Sequence, residues 1–104
     1  MILEAAIAET LRQLREAAGL TQEDFIGVSG RSYLSELERG LKSPTVQKID
    51  ELAGRLEVHP LTFLTLCFTK KDGVPVAELQ ELVLKQMANL GNKDSTTTPP
   101  LPAT

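Results

Sequence analysis

The chain is poor in the residues that metal, disulfide and aromatic-rich sites require. It has no Trp, one Tyr and three Phe among 104 residues, so its core is expected to consist mainly of Leu, Ile, Val and Ala. A single Cys67 within the apolar run LTFLTLCF excludes an internal disulfide. With one His and no clustered ligands, no metal site is expected, and Cys67 reads as a buried thiol. No apolar run is long enough to span a bilayer, so no membrane association is expected. The opening MILEAAIAETLRQLR lacks a positive leader followed by an apolar stretch and a cleavage site, which predicts a cytoplasmic, nucleoid-associated location. Paired acid and base residues at usable spacing and a phosphate-cradling glycine loop are also missing. These absences exclude an enzyme and leave no catalytic residue and no cofactor to assign.

What remains is helix-forming sequence. No stretch alternates with a sustained period of two, while apolar residues recur at helical spacing in several segments. The first helix is predicted from about Ile2 to Ala18, with Ile7, Leu11, Leu14 and Ala18 on its buried face and Gly19 as its stop. Thr21 is placed to cap a short second helix, with Glu23 and Asp24 near its positive end and Phe25 and Ile26 facing inward. Val28, Ser29 and Gly30 break that helix, and a third runs from about Arg31 to Arg39 before Gly40. Its residues Leu34 and Leu37, with Tyr33 beside them, face the core, while Arg31, Ser32, Ser35 and Glu36 face outward.

Thr45 is a good cap for a fourth helix carrying Val46, Ile49, Leu52, Ala53 and Leu56. His59 then precedes Pro60, a favoured first helical residue, and a fifth helix is predicted from about Leu61 to Phe68. This makes His59 a cap or packing residue rather than a ligand or pH sensor. Lys70 to Gly73 reads as a turn, and Pro75 opens a sixth helix from Val76 to Leu90, stopped by Gly91. Residues 92–104 are expected to be a disordered tail, and the PPLP within it a plain chain end.

Two short helices joined by a tight small-residue turn form a helix-turn-helix, a motif that lays its second helix in the major groove of DNA. A net charge of -3 argues mildly against nucleic acid, since phosphate neutralisation drives most such binding. The distribution weakens that objection. From Arg31 to Lys48 there are four basic residues (Arg31, Arg39, Lys42 and Lys48) against Glu36 and Glu38. A local basic patch on an acidic body implies binding through one face, with strong salt sensitivity.

At TQEDF, RSYLSELERGLKSPT and KIDELAGRLEVHP the chain resembles the phage repressor and Cro (XRE-type) helix-turn-helix family, over about Ile7 to Phe68. The resemblance implies an all-α, five-helix repressor-like bundle, here with an additional C-terminal helix. One departure stands out: Gln22 and Glu38 are sixteen residues apart, closer than is usual in the family, with the shortening at the turn. The resemblance also implies that Arg31, Ser32 and Ser35 enter the groove, with Tyr33 near the backbone or a thymine methyl. The chemistry agrees, since Arg donates two hydrogen bonds to guanine and Ser adapts to either kind of base edge. Gln22, beside Thr21 at the start of the second helix, is implied to clamp a phosphate. Arg39, Lys42 and Ser43 are expected at the backbone or groove edge, Lys42 as a phosphate contact. Glu36 has three readings: acceptance from cytosine N4, repulsion of wrong sites, or a place on the rim. Glu38 is expected to be internal, paired with Arg12 or Arg15.

A lone helix-turn-helix buries little DNA surface, so a homodimer on double-stranded DNA is expected. Phe63, Leu66 and Phe68 of the fifth helix, and Val76, Leu79, Val83, Met87 and Leu90 of the sixth, are the candidate pairing residues. The alternative is that the sixth helix covers the chain's own core. Residues 1–69 are thus assigned to DNA binding, 70–91 to dimerisation and 92–104 to the tail. The function expected is a dimeric repressor at an inverted-repeat operator. The competing function is an antitoxin-type interaction module that binds a protein partner through its C-terminal helix.

Overall fold

Local capping chemistry sets most of the helix boundaries. In the computed structural model, which describes residues 1–25, 27 and 31–94, five α-helices and one 3-10 helix occur and the described residues contain no strand. They are α1 (Leu3–Ala17), the 3-10 helix (Gln22–Phe25), α2 (Arg31–Glu38), α3 (Val46–Arg55), α4 (Pro60–Asp72) and α5 (Val76–Asp94). The chain is all-α, as its periodicity predicts.

Thr45 caps α3 by accepting a hydrogen bond from the Lys48 amide at 3.1 Å. His59 caps α4, its Nδ1 accepting from the Leu61 amide at 2.9 Å, with Pro60 as the first helical residue. The expected cap at Thr21 works differently. Asp24 reaches back, accepting from the Thr21 amide at 2.7 Å and from its hydroxyl at 3.1 Å. These two bonds hold the Asp24 carboxyl below its ordinary range.

Among the described residues, left-handed residues follow the first four α-helices, and three of those four are glycines: Gly19, Gly40 and Gly73. The fourth is Glu57 at φ 59°, following α3, where the Val58 amide bonds back to the Ala53 carbonyl at 3.0 Å. A side chain in that conformation costs roughly 1–2 kcal/mol. Glu57→Gly is therefore expected to stabilise the protein by about 0.5–1 kcal/mol once the freer unfolded chain is counted, read as a higher denaturant midpoint.

The chain divides into two units, residues 1–73 and 74–104. In the first, α1 packs against α4 and α2, α2 packs on the 3-10 helix, and α3 packs on α4. Their shared core holds Ile7, Leu11, Phe25, Leu34, Leu37, Ile49, Leu52, Ala53, Leu56, Phe63 and Cys67. Burial pushes the Cys67 thiol above its ordinary value, which the adjoining Thr10 hydroxyl and Lys70 charge only partly oppose. The lone cysteine is a core residue.

Several expectations need correction. Phe63, expected at a pairing surface, is wholly enclosed; an apolar run has no polar side to show which residues face inward. Leu66 and Phe68 are half-buried. Val46 is 78% exposed, because as the first residue of α3 it precedes the turn that touches the core. Ala18 lies outside α1, exposed at its C-cap. Lys70, Lys71 and Asp72, read as a turn, continue α4 to its stop at Gly73, where the two lysines suit the negative end of the helix dipole. Gly91 does not end α5, which runs on to Asp94. An isolated glycine costs a helix only about 1 kcal/mol and stops it only by turning left-handed, which Gly91 does not do. Residues 92–94 are thus helical rather than part of a tail. Ile26, the turn at Val28 to Gly30, and 95–104 lie outside the described residues.

Candidate nucleic-acid interface

The outer face of α2 depends on a buried charge behind it. Glu38, the last residue of α2, is buried, and a carboxylate there is tolerable only if paired and fully hydrogen-bonded. Arg15 of α1 supplies a two-pronged partner, its Nε 2.6 Å from Oε2 and its second terminal nitrogen 3.0 Å from Oε1. The remaining Arg15 donor reaches the Leu20 carbonyl at 2.9 Å. Arg12 donates to the Glu38 carbonyl at 2.8 Å, and the Gln22 amide donates to Oε1 at 3.1 Å. Glu38 raises the Arg15 guanidinium above its ordinary value against the opposing effect of burial. The expected internal role of Glu38 is thereby met by both arginines. One carboxylate ties together α1, the start of the 3-10 helix and the end of α2.

Held from behind, α2 turns an open polar face outward. Gln22, Ser32, Ser35, Glu36 and Arg39 line a single open depression on that face. Five of the residues expected from the sequence therefore share one surface. The arrangement offers amide, hydroxyl and guanidinium donors around one carboxylate, which could only accept while ionised. The backbone of Arg31 begins α2; its side chain lies outside the described residues.

The other expected contacts are placed differently. Tyr33 is half-buried and packs against the core, on the inward side of α2 beside Leu34 and Leu37 as its position in the helix predicts. The ammonium groups of Lys42 and Lys48 each stand 5.7 Å from its ring centre. Lys42 is also 3.1 Å from Glu36, and Lys48 is 2.9 Å from Glu51. Much of the local positive charge is thus matched by carboxylates. Ser43 donates to Glu4 at 3.1 Å, fastening the loop after α2 to the first turn of α1. Thr21 serves the Asp24 cap already described.

Several of these links were not foreseen from the sequence, among them Lys48 on Tyr33, Lys42 on Glu36, and Ser43 on Glu4. The first and third join residues from different elements. Lys42 and Glu36, like Lys48 and Glu51, are close enough along the chain for their opposite charges to have given a signal. Among the described residues no group of three or more His, Cys, Asp or Glu could hold a metal ion. No described helix is long and apolar enough to cross a membrane.

Comparison with known proteins places this geometry in a family. A family model described as Helix-turn-helix matches residues 11–63, a span covering the Arg15–Glu38 anchor and the whole of α2. An uncharacterized HTH-type transcriptional regulator of Sinorhizobium fredii, y4dJ, is 40% identical over 67 residues, covering 62% of this chain and 87% of that protein. The HTH-type transcriptional regulator DdrOP3 of Deinococcus deserti is 39% identical over 59 residues, or 53% of this chain. The match spans 46% of DdrOP3, less than half of its length. No solved structure matches the chain significantly.

Proposed function

The chain belongs to the XRE-type helix-turn-helix family of transcriptional regulators, and from that premise we propose that it binds double-stranded DNA through α2 as a dimeric repressor of an inverted-repeat operator. The observation that carries this reading is the open face that Ser32, Ser35 and Glu36 of α2 form with the flanking Gln22 and Arg39, on a helix anchored from behind by Glu38. A helix reads bases well only if its orientation is fixed before it docks, since loose side chains lose entropy on binding.

In the proposed complex the N-terminal part of α2 enters the major groove. Arg31 donates to guanine O6 and N7, Ser32 and Ser35 adapt to neighbouring edges, and Arg39, just past the end of α2, meets the backbone or groove edge. Gln22, at the start of the 3-10 helix, meets a phosphate. Lys42 meets another, leaving Glu36 as it does so, and Ser43 stands at the groove edge. Glu36 then needs a donor of its own, and the exocyclic amine of cytosine is one.

The two kinds of contact separate by substitution. Arg31→Ala is expected to weaken binding and relax sequence preference, worth roughly 1–3 kcal/mol at one base position. Lys42→Ala is expected to lower affinity for all sequences alike and reduce the salt slope by about one. It also leaves Glu36 uncompensated before the phosphates, so Glu36→Gln added to Lys42→Ala should recover part of the loss. Equal loss of preference from both single variants would undo these roles.

The proposal is tested by selecting sites from random duplex DNA with the purified full chain at moderate salt. An enriched inverted repeat with half-sites roughly 34–36 Å apart supports a dimeric reader. Salt-sensitive binding without enrichment would contradict base reading by α2.

A further inference from the structure

The apolar stripe of α5 has an unusual symmetry. Val76, Leu79, Val83, Met87 and Leu90 are spaced 3, 4, 4 and 3 residues apart, so the pattern reads the same in both directions from Val83. At 3.6 residues per turn they form a stripe about 80° wide. Val76 is 40% exposed, Val83 44%, and Met87 and Leu90 62% each. Such a stripe on a surface helix seeks a partner.

A two-fold axis through Val83 would carry Val76 onto Leu90, Leu79 onto Met87, and Val83 onto itself. An antiparallel second copy therefore meets apolar with apolar at all five levels, each time pairing two different sizes except at the axis. Leu82 and Leu84, both exposed, stand at its shoulders one residue either side of the axis.

Charge points the same way. Glu78 and Glu81 lie in the first half of α5, while Lys85 and Lys93 lie in the second, where Asp94 is the one acid. The same axis exchanges Glu81 with Lys85. Antiparallel alignment sets the acidic half beside the basic half and opposes the helix dipoles, whereas parallel alignment sets like beside like.

We propose that α5 is a self-pairing helix, and that two copies of this chain associate antiparallel through Val76, Leu79, Val83, Met87 and Leu90 about a two-fold axis at Val83. This rests on the dimeric reading of the regulator and supplies its contact. The stripe is only about 21 Å long, at the small end of specific interfaces. Pairing is therefore concentration-dependent and tightens when DNA holds two copies.

The test is mild oxidation of full-length cysteine variants, with the buried Cys67 left in place. Val76→Cys mixed with Leu90→Cys should give a disulfide-linked dimer that neither variant gives alone, and Val83→Cys should link to itself. Links formed by Val76→Cys alone and by Leu90→Cys alone would overturn the antiparallel arrangement. The absence of any link would overturn α5 as the contact. As a second reading, Val83→Glu should shift the sedimentation mass from dimer to monomer with unchanged helical content, and an unchanged mass would contradict the proposal. Failed links alongside a selected inverted repeat would move the contact elsewhere and leave DNA reading intact. Links without any selected site would keep the pairing and remove DNA reading.

Discussion

Arg15→Met is expected to destabilise the bundle by about 3 kcal/mol, because removing one partner of a buried ion pair leaves the other charge stranded. The Arg15 side chain is 13% exposed and that of Glu38 3%, so water cannot replace the lost guanidinium. Arg12 does not substitute: it lies 3.9 Å from the Glu38 carboxylate and is half exposed. Gln22 offers one neutral donor. Small domains are stable by only about 5–15 kcal/mol, so a loss of this size should be plain in urea unfolding. Adding Glu38→Leu should return part of it, since an apolar pair of similar volume no longer carries an unmatched charge. A cost below about 1 kcal/mol for Arg15→Met would mean that the pair is wetter than its geometry implies. The variant also reaches function: with α2 untied from α1, DNA affinity should fall at temperatures where the bundle is still folded.

Phe63→Ala is expected to cost about 3–5 kcal/mol, the usual penalty for emptying an aromatic site that cannot collapse. Phe63 is wholly enclosed within a core cluster that includes Leu11, Phe25 and Cys67. The penalty should be the same at every protein concentration, because the cavity lies inside one chain. A pairing residue would behave otherwise, with a loss that is absent at low concentration and grows as the dimer forms. Unfolding measured at two concentrations well apart separates the cases. A concentration-dependent loss would put Phe63 back at a surface between copies.

Phe63 shows where sequence reading fails. In LTFLTLCF nearly every residue is apolar or small, so the helical period leaves no polar side to orient the segment. Helix ends were more legible, because they depend on chemistry within a few residues. Thr45 over Lys48, His59 before Pro60, and Gly19 after α1 all follow from local bonding. Gly91 resembles Gly19 in sequence but has residues able to continue the helix on both sides, and nothing local separates a tolerated glycine from a terminating one. In the candidate site, the outward places of Ser32, Ser35 and Glu36 on α2 followed from its period. The links from Ser43 to Glu4 and from Lys48 to Tyr33 did not, since they join elements brought together only by the tertiary fold. The pairing of Glu38 with Arg15 was legible through the family resemblance, because a carboxylate between Leu37 and Arg39 has no local reason to be buried.

The central claim is that α2 reads bases in the major groove, and guanine-N7 methylation protection on a selected duplex tests it most directly. N7 lies in the major groove, so wild-type protein should protect guanines in two major-groove segments about one helical turn apart. Arg31→Ala should release one guanine in each segment and leave the others covered. Protein bound to that duplex with every guanine N7 still reactive would contradict the claim, and would leave α2 against the backbone alone.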